Sequence, residues 1–215
     1  MSENDQGAPL RPWTPAEAWA KLARGNDRFV AGEHSHPNQD AARRDSLTEG
    51  QTPIAVFFGC ADSRVAAEII FDRGLGDLFV VRTAGHVMDQ AVLGSIEFGV
   101  AVLDIPLIVI LGHDSCGAVS ATVDAVETGI LPRGYIRDIV ERVTPSVLAA
   151  HRAGMTTADE IGAEHVRHTL HLLTERSNAI ADRIATGRLA VVGATYALSN
   201  GRAQIVDSVG LDLTP

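Results

Sequence analysis

A chain of 215 residues, 46% hydrophobic and 21% charged, suits one globular domain with a substantial core, or one domain with an appended arm. Eighteen basic residues against 27 acidic ones leave a formal net charge of -9 with no basic cluster, which argues against nucleic acid or an anionic membrane as a partner. The polar, acidic start lacks the charged-then-apolar order of a signal peptide, and apolar runs such as Ile105 to Leu111 are too short to span a bilayer, so a cytoplasmic location is expected.

Residues 1–12 read as a disordered tail. Thr14, Pro15 and Glu17 form a helix start: Thr14 caps, Pro15 suits the first turn, and Glu17 returns a hydrogen bond. Trp19, Leu22, Ala23, Phe29 and Val30 then mark an amphipathic helix to about residue 31, and residues 32–40 a turn-rich linker. Together, residues 13–40 are expected to form an N-terminal helical arm and linker. Residues 41–215 are expected to form an α/β catalytic domain.

The continuous apolar run Ile54 to Phe58 predicts a strand buried on both faces. A helical segment over 65–71, a strand at Leu78 to Val81, a helix over 89–103 and a strand at Leu107 to Leu111 follow. A helix from Ala118 to Glu127 is ended by Gly129, and a capping box at Thr157 and Glu160 opens one long helix to about Thr186. The last strands are Leu189 to Val192 and, after the hairpin signal Asn200-Gly201, an antiparallel edge strand at Gln204 to Ser208. This alternation predicts a mostly parallel sheet of four strands plus the antiparallel edge strand, flanked by helices.

Two motifs stand where a predicted strand meets a predicted helix: Gly59-Cys60-Ala61-Asp62-Ser63-Arg64 and Gly112-His113-Asp114-Ser115-Cys116-Gly117. The carboxyl edge of a parallel sheet is where α/β folds place ligands, and helix starts favour thiolate over thiol. Cys60 and Cys116 are the only cysteines, so metal binding or catalysis is a better expectation than a structural disulfide in a reducing compartment. Cys60, His113 and Cys116 make a Cys2His set suited to Zn2+, with a fourth position left for water or Asp62. Such a metal lowers the pKa of its water and yields hydroxide, an attacking group for an electrophile such as carbon dioxide. Asp62 and Arg64, two residues apart, are placed to pair bidentately. Paired, Asp62 faces the water; unpaired, it rotates onto the metal and closes the site.

Cys-x-Asp-Ser-Arg followed by His-x-x-Cys some fifty residues later resembles the β-class carbonic anhydrases, along nearly the whole chain. The resemblance implies zinc-dependent, reversible hydration of carbon dioxide to bicarbonate, zinc on Cys60, His113 and Cys116, Asp62 as fourth ligand or orienter, and Arg64 as its partner. It implies a homodimer, or a dimer of dimers, with active sites at the subunit interface. Gln51 matches a glutamine that hydrogen-bonds substrate, Phe79 and Phe98 match aromatics lining the carbon dioxide pocket, and Gly117 joins them as a substrate-binding position. Arg82 and Tyr196 match two residues of an inhibitory bicarbonate pocket found in some members, whose tryptophan is replaced here by Phe57. The same ligands would also serve a hydrolase of carbon disulfide or carbonyl sulfide, or a non-catalytic bicarbonate sensor.

The remaining histidines read more plainly. His165, His168 and His171 recur every three residues, a spacing that drifts round a 3.6-residue helix, so they are expected at solvent or an interface. His34 and His36 are expected to be exposed, and His86 to hydrogen-bond locally rather than assist proton release.

Overall fold

The computed structural model describes residues 12–211. The predicted tail therefore lies outside the described residues, apart from Pro12.

Five strands form one sheet: β1 (Ala55–Cys60), β2 (Leu78–Thr83), β3 (Leu107–His113), β4 (Ala190–Tyr196) and β5 (Ala203–Val209), in the order β2-β1-β3-β4-β5. All pairings are parallel except β4 with β5. The expected architecture is thus the observed one. β1 and β3 are buried along their whole length, which is why their sequences are unbroken apolar runs rather than alternating ones. The alternation is present in direction instead. Phe57, Val109 and Val192 point to one face, and Phe58, Ile110 and Val191 to the other. Each side chain of this size contributes roughly 1.5–3 kcal/mol by leaving water.

The first face is covered by α1 (Pro15–Ala31) and the short α3 (Ala67–Ile70). α1 begins with the predicted capping box and buries Ala18, Leu22, Gly25 and Asn26 against its own chain. Gly25 is required there, since a Cβ would lie 1.8 Å from the Phe71 carbonyl oxygen. Asn26 fastens the helix: its Nδ2 donates to the Ile70 and Gly201 carbonyls, and its Oδ1 accepts from Ala203 N–H. The linker carries α2 (Ala41–Ser46), capped by Asp40, a helix too short for its periodicity to be read. Buried Asp72 holds the linker by accepting from Ser35 N–H and Oγ, His36 N–H and Arg28 Nε.

The second face is covered by α4 (Gln90–Ala101), α7 (Ala158–Arg176) and α8 (Asn178–Ala185). α7 and α8 replace the single helix expected from Thr157 to Thr186. Ser177 breaks it: its backbone is extended, and its hydroxyl accepts from Ile180 N–H and donates to Glu97. α5 (Gly117–Thr128) ends at Gly129, with φ 72° in the left-handed region.

α6 (Ile136–Arg152) was not expected. It has no side-chain cap and carries Pro145 in its interior, so its local signals are those of a broken helix. Packing makes it: Val140, Val143, Ser146, Val147 and Ala150 are buried at helical spacing against α5 and α7. Among the described residues, no helix is long and apolar enough to cross a membrane.

Candidate metal centre

β1 and β3 are parallel neighbours, and both end in a site residue, Cys60 and His113. Cys116 follows as the N-cap of α5. The turn from β3 into α5 places Ser115 at φ 51°, and Ser115 N–H is held by Asp159 at 3.0 Å. The ligand atoms of Cys60, His113 and Cys116 lie within 4.8 Å of one another, all three residues are buried, and they form the one such group found among the described residues.

The donors are prepared for a cation. Cys60 Sγ accepts from the backbone N–H of Gly85 at 3.3 Å, and Cys116 stands at the start of α5. Cys60 is lowered, chiefly by a hydrogen bond from Cys116, and the Gly85 N–H adds to it. The thiolate so formed pushes Cys116 up. His113 Nδ1 lies 2.8 Å from the Asp114 carbonyl oxygen. A carbonyl only accepts, so Nδ1 carries the hydrogen and Nε2 presents its lone pair. That Nε2 is buried and has no hydrogen-bond partner. A buried polar atom without a partner is costly, and a metal ion removes the cost.

Asp62 stands beside this group. Its Oδ1 accepts from Arg64 N–H and Nε, both at 2.9 Å, and its Oδ2 from Arg64 Nη2 at 2.7 Å. These bonds, first those of the side chain and then that of the backbone, hold the carboxyl well below the usual carboxylate range. Asp62 Oδ2 lies 3.9 Å from His113 Nε2. Arg64 also reaches the Ser115 carbonyl at 3.5 Å, so it bridges the two motifs.

Other expected residues are placed elsewhere. Gln51 is exposed in a depression of about 480 Å³ that it lines with Arg44, Leu47 and Leu75. Phe79 and Phe98 stack on each other, ring centroids 6.1 Å apart, with Phe98 exposed at 46%. Phe79 packs against the α4–α7 side of the sheet, apart from the cluster that holds the cysteines. Gly117 is exposed in the first turn of α5, with open space where a Cβ would sit. Arg82 is committed to the backbone, donating from Nε to the Cys60 carbonyl at 2.9 Å and from Nη2 to the Asp62 carbonyl at 2.5 Å. Phe57 is buried against Phe71, and Tyr196 is buried at the end of β4.

Two histidine expectations are corrected. His165 is 3% exposed and hydrogen-bonded on both ring nitrogens, neither solvated nor at the surface. It falls in the ridge Ile161, His165, Thr169, Leu173, which faces inward at four-residue spacing; the three-residue spacing shared with His168 and His171 hides this. His168 is half-buried, and His171 is exposed and paired with Asp207 at 3.1 Å. His86 is 2% exposed and makes no local hydrogen bond; its ring sits 4.3 Å from that of His165. Gly85 was missed as well. The usable signal was a glycine following a strand at the ligand-bearing sheet edge.

The family model described as carbonic anhydrase matches residues 55–203. A protein named carbonic anhydrase 2 from Mycobacterium tuberculosis is 60% identical over 196 residues, covering 91% of this chain and 95% of the relative. A carbonic anhydrase of Mycolicibacterium smegmatis is 59% identical over the same shares of both chains. Among solved structures, the β-carbonic anhydrase CcaA superimposes with a TM-score of 0.68 at 25% identity, covering 88% of this chain and 87% of that one.

Proposed function

This chain belongs to the β-class carbonic anhydrases, and we propose that it catalyses the reversible hydration of carbon dioxide to bicarbonate and a proton at a zinc ion held by Cys60, His113 and Cys116. One observation carries the reading: three buried donors converge within 4.8 Å beside a carboxylate clasped by an arginine. Two thiolates and one neutral imidazole are a set that zinc takes in catalytic sites, with a fourth position open. When bound, zinc supplies the Lewis acidity that makes water nucleophilic near neutral pH.

The chain's own residues supply the control. Arg64 holds Asp62 ionised and turned away from the metal ligands. In that position Asp62 Oδ2 accepts a hydrogen bond from the reacting water and orients it. A carboxyl held so far down is a poor proton store, so the released proton passes on to buffer. Should Arg64 let go, Asp62 competes for the fourth position and closes the site. Asp62 and Arg64 thus form a gate.

Gln51 is assigned to substrate hydrogen bonding, Phe79 and Phe98 to an apolar wall and Gly117 to an open approach. The first three stand apart from the cysteines within one chain, which favours a homodimer in which neighbouring protomers complete the site. The exposed apolar pair Phe98 on α4 and Val102 at its C-cap supports such an interface. A cytoplasmic setting suits the two free thiols.

Stopped-flow carbon dioxide hydration from pH 7 to 9, with zinc quantified in the same sample, tests the proposal. Turnover is expected in the zinc-loaded protein; none in a fully loaded sample overturns it.

A further inference from the structure

Behind the metal centre lies a buried chain of contacts that the gate does not use. It runs from Ser146 on α6, through His165 on α7, to Gly85 in the 3-10 turn Ala84–His86, and ends on Cys60. His165 Nε2 lies 2.9 Å from the Gly85 carbonyl oxygen, and its Nδ1 lies 2.8 Å from Ser146 Oγ. The carbonyl has no hydrogen to give, so Nε2 carries it. Burial lowers the pKa of this ring to about 4, so it is neutral near pH 7, and Nδ1 accepts from the Ser146 hydroxyl. Both hydrogen bonds therefore run in one direction.

Gly85 is gripped at both of its polar groups. Its carbonyl is held by His165, and its N–H donates to Cys60 Sγ at 3.3 Å. Its backbone is left-handed, φ 62°, and an added Cβ would lie 2.6 Å from Ala118 Cβ. No side chain fits there, so the turn itself cannot be braced by packing at this residue. The brace comes from His165. The His86 ring closes the arrangement, lying 4.3 Å from His165 on one side and set edge-on to Phe58 at 6.2 Å on the other.

We propose that His165 is a positioning residue for the metal centre, which fixes Gly85 so that its N–H donates to the Cys60 thiolate. The inference rests on the zinc reading above. A hydrogen bond to a metal-bound thiolate withdraws charge from the sulfur, so it sets both how firmly the ligand is oriented and how strongly it donates. Partners of this kind, one shell beyond the ligands, alter metal affinity or activity by roughly 10–100-fold when lost.

The test uses His165→Leu, which keeps bulk and removes the donor, and His165→Gln, whose amide N–H replaces Nε2–H. Zinc affinity is measured by chelator competition, and the thiolate-to-metal charge-transfer band is recorded after cobalt(II) substitution. His165→Leu is expected to lose roughly tenfold in zinc affinity and to shift the band, and His165→Gln to restore most of both. A purely structural role would lower the melting temperature without moving the band. Folded His165→Leu with wild-type affinity and band overturns the proposal. Should that variant fail to fold, Ser146→Ala decides: a shift of the same sign and smaller size supports the proposal, and an unchanged band overturns it. Failure of the zinc reading looks different, since the wild-type protein would then take up no metal and show no thiolate band.

Discussion

Arg64 clasps Asp62 through two parallel hydrogen bonds, Nε to Oδ1 at 2.9 Å and Nη2 to Oδ2 at 2.7 Å, and leaves Oδ2 3.9 Å from His113 Nε2. The carboxylate is one side-chain rotation from the ligands, and a guanidinium holds it back. Charge alone does not produce this geometry; the planar fork does. Arg64→Ala is therefore expected to keep zinc and lose roughly 100-fold in kcat, the scale of an oriented proton-handling group. Arg64→Lys should recover little of it. Stopped-flow rates on zinc-quantified samples check both, and near wild-type kcat in Arg64→Lys would rule out the clasp as the working element.

The ligand set predicts a different pattern. Cys60→Ala and His113→Ala each leave two donors around a buried position, so zinc should be lost together with hydration activity. Metal analysis after dialysis against a weak chelator separates this from a kinetic defect. Retained full hydration activity in either variant would contradict the assignment.

Asn26 carries a prediction about stability alone. Its side chain satisfies two carbonyls, of α3 and the β4–β5 connection, and one N–H at the start of β5. Asn26→Leu leaves these buried groups without partners, at a cost of about 2–3 kcal/mol. For a chain of this size the melting temperature should fall by roughly 4–12 °C. Calorimetry checks it, and an unchanged midpoint would mean that α1 is fastened by its apolar face instead.

Acid should weaken the fold before the carboxylates titrate. Burial lowers both His86 and His165 first; the charges of His165 and His113 then bear on His86, and that of His168 on His165. In the unfolded chain a histidine takes its proton near pH 6.5, whereas folded His165 waits until about pH 4. Their contribution is present above the unfolded value and drains away as pH falls from about 6.5 toward 4. From pH 7.5 to 5, His165 alone accounts for about 2 kcal/mol. Denaturant midpoints at the two pH values should show the drop, and His165→Gln should flatten it; equal slopes would show that other groups govern the acid limb.

Much of the fold was legible because its signals are local. The unbroken apolar runs at Ile54 and Leu107, the capping boxes at Thr14 and Thr157, and the Asn200-Gly201 turn each declare an element within a few residues. What escaped lacked local signals. α6 carries a proline and no cap, and the stretch from Thr157 to Thr186 is helical on both sides of Ser177, whose break depends on Glu97 from α4.

The site divides along the same line. The sequence by itself marked the proposed metal donors and the pair proposed to gate them, because Cys60, Asp62 and Arg64 lie within one strand end and His113 and Cys116 within another, where short spacing dictates proximity within each motif. Only the tertiary structure brought a second histidine, His165, to the turn behind that cluster. His165 is 80 residues from Gly85, and its spacing to His168 and His171 points away from the core. Helix packing turns it inward, and a bond made by burial across that separation has no signature in the order of residues.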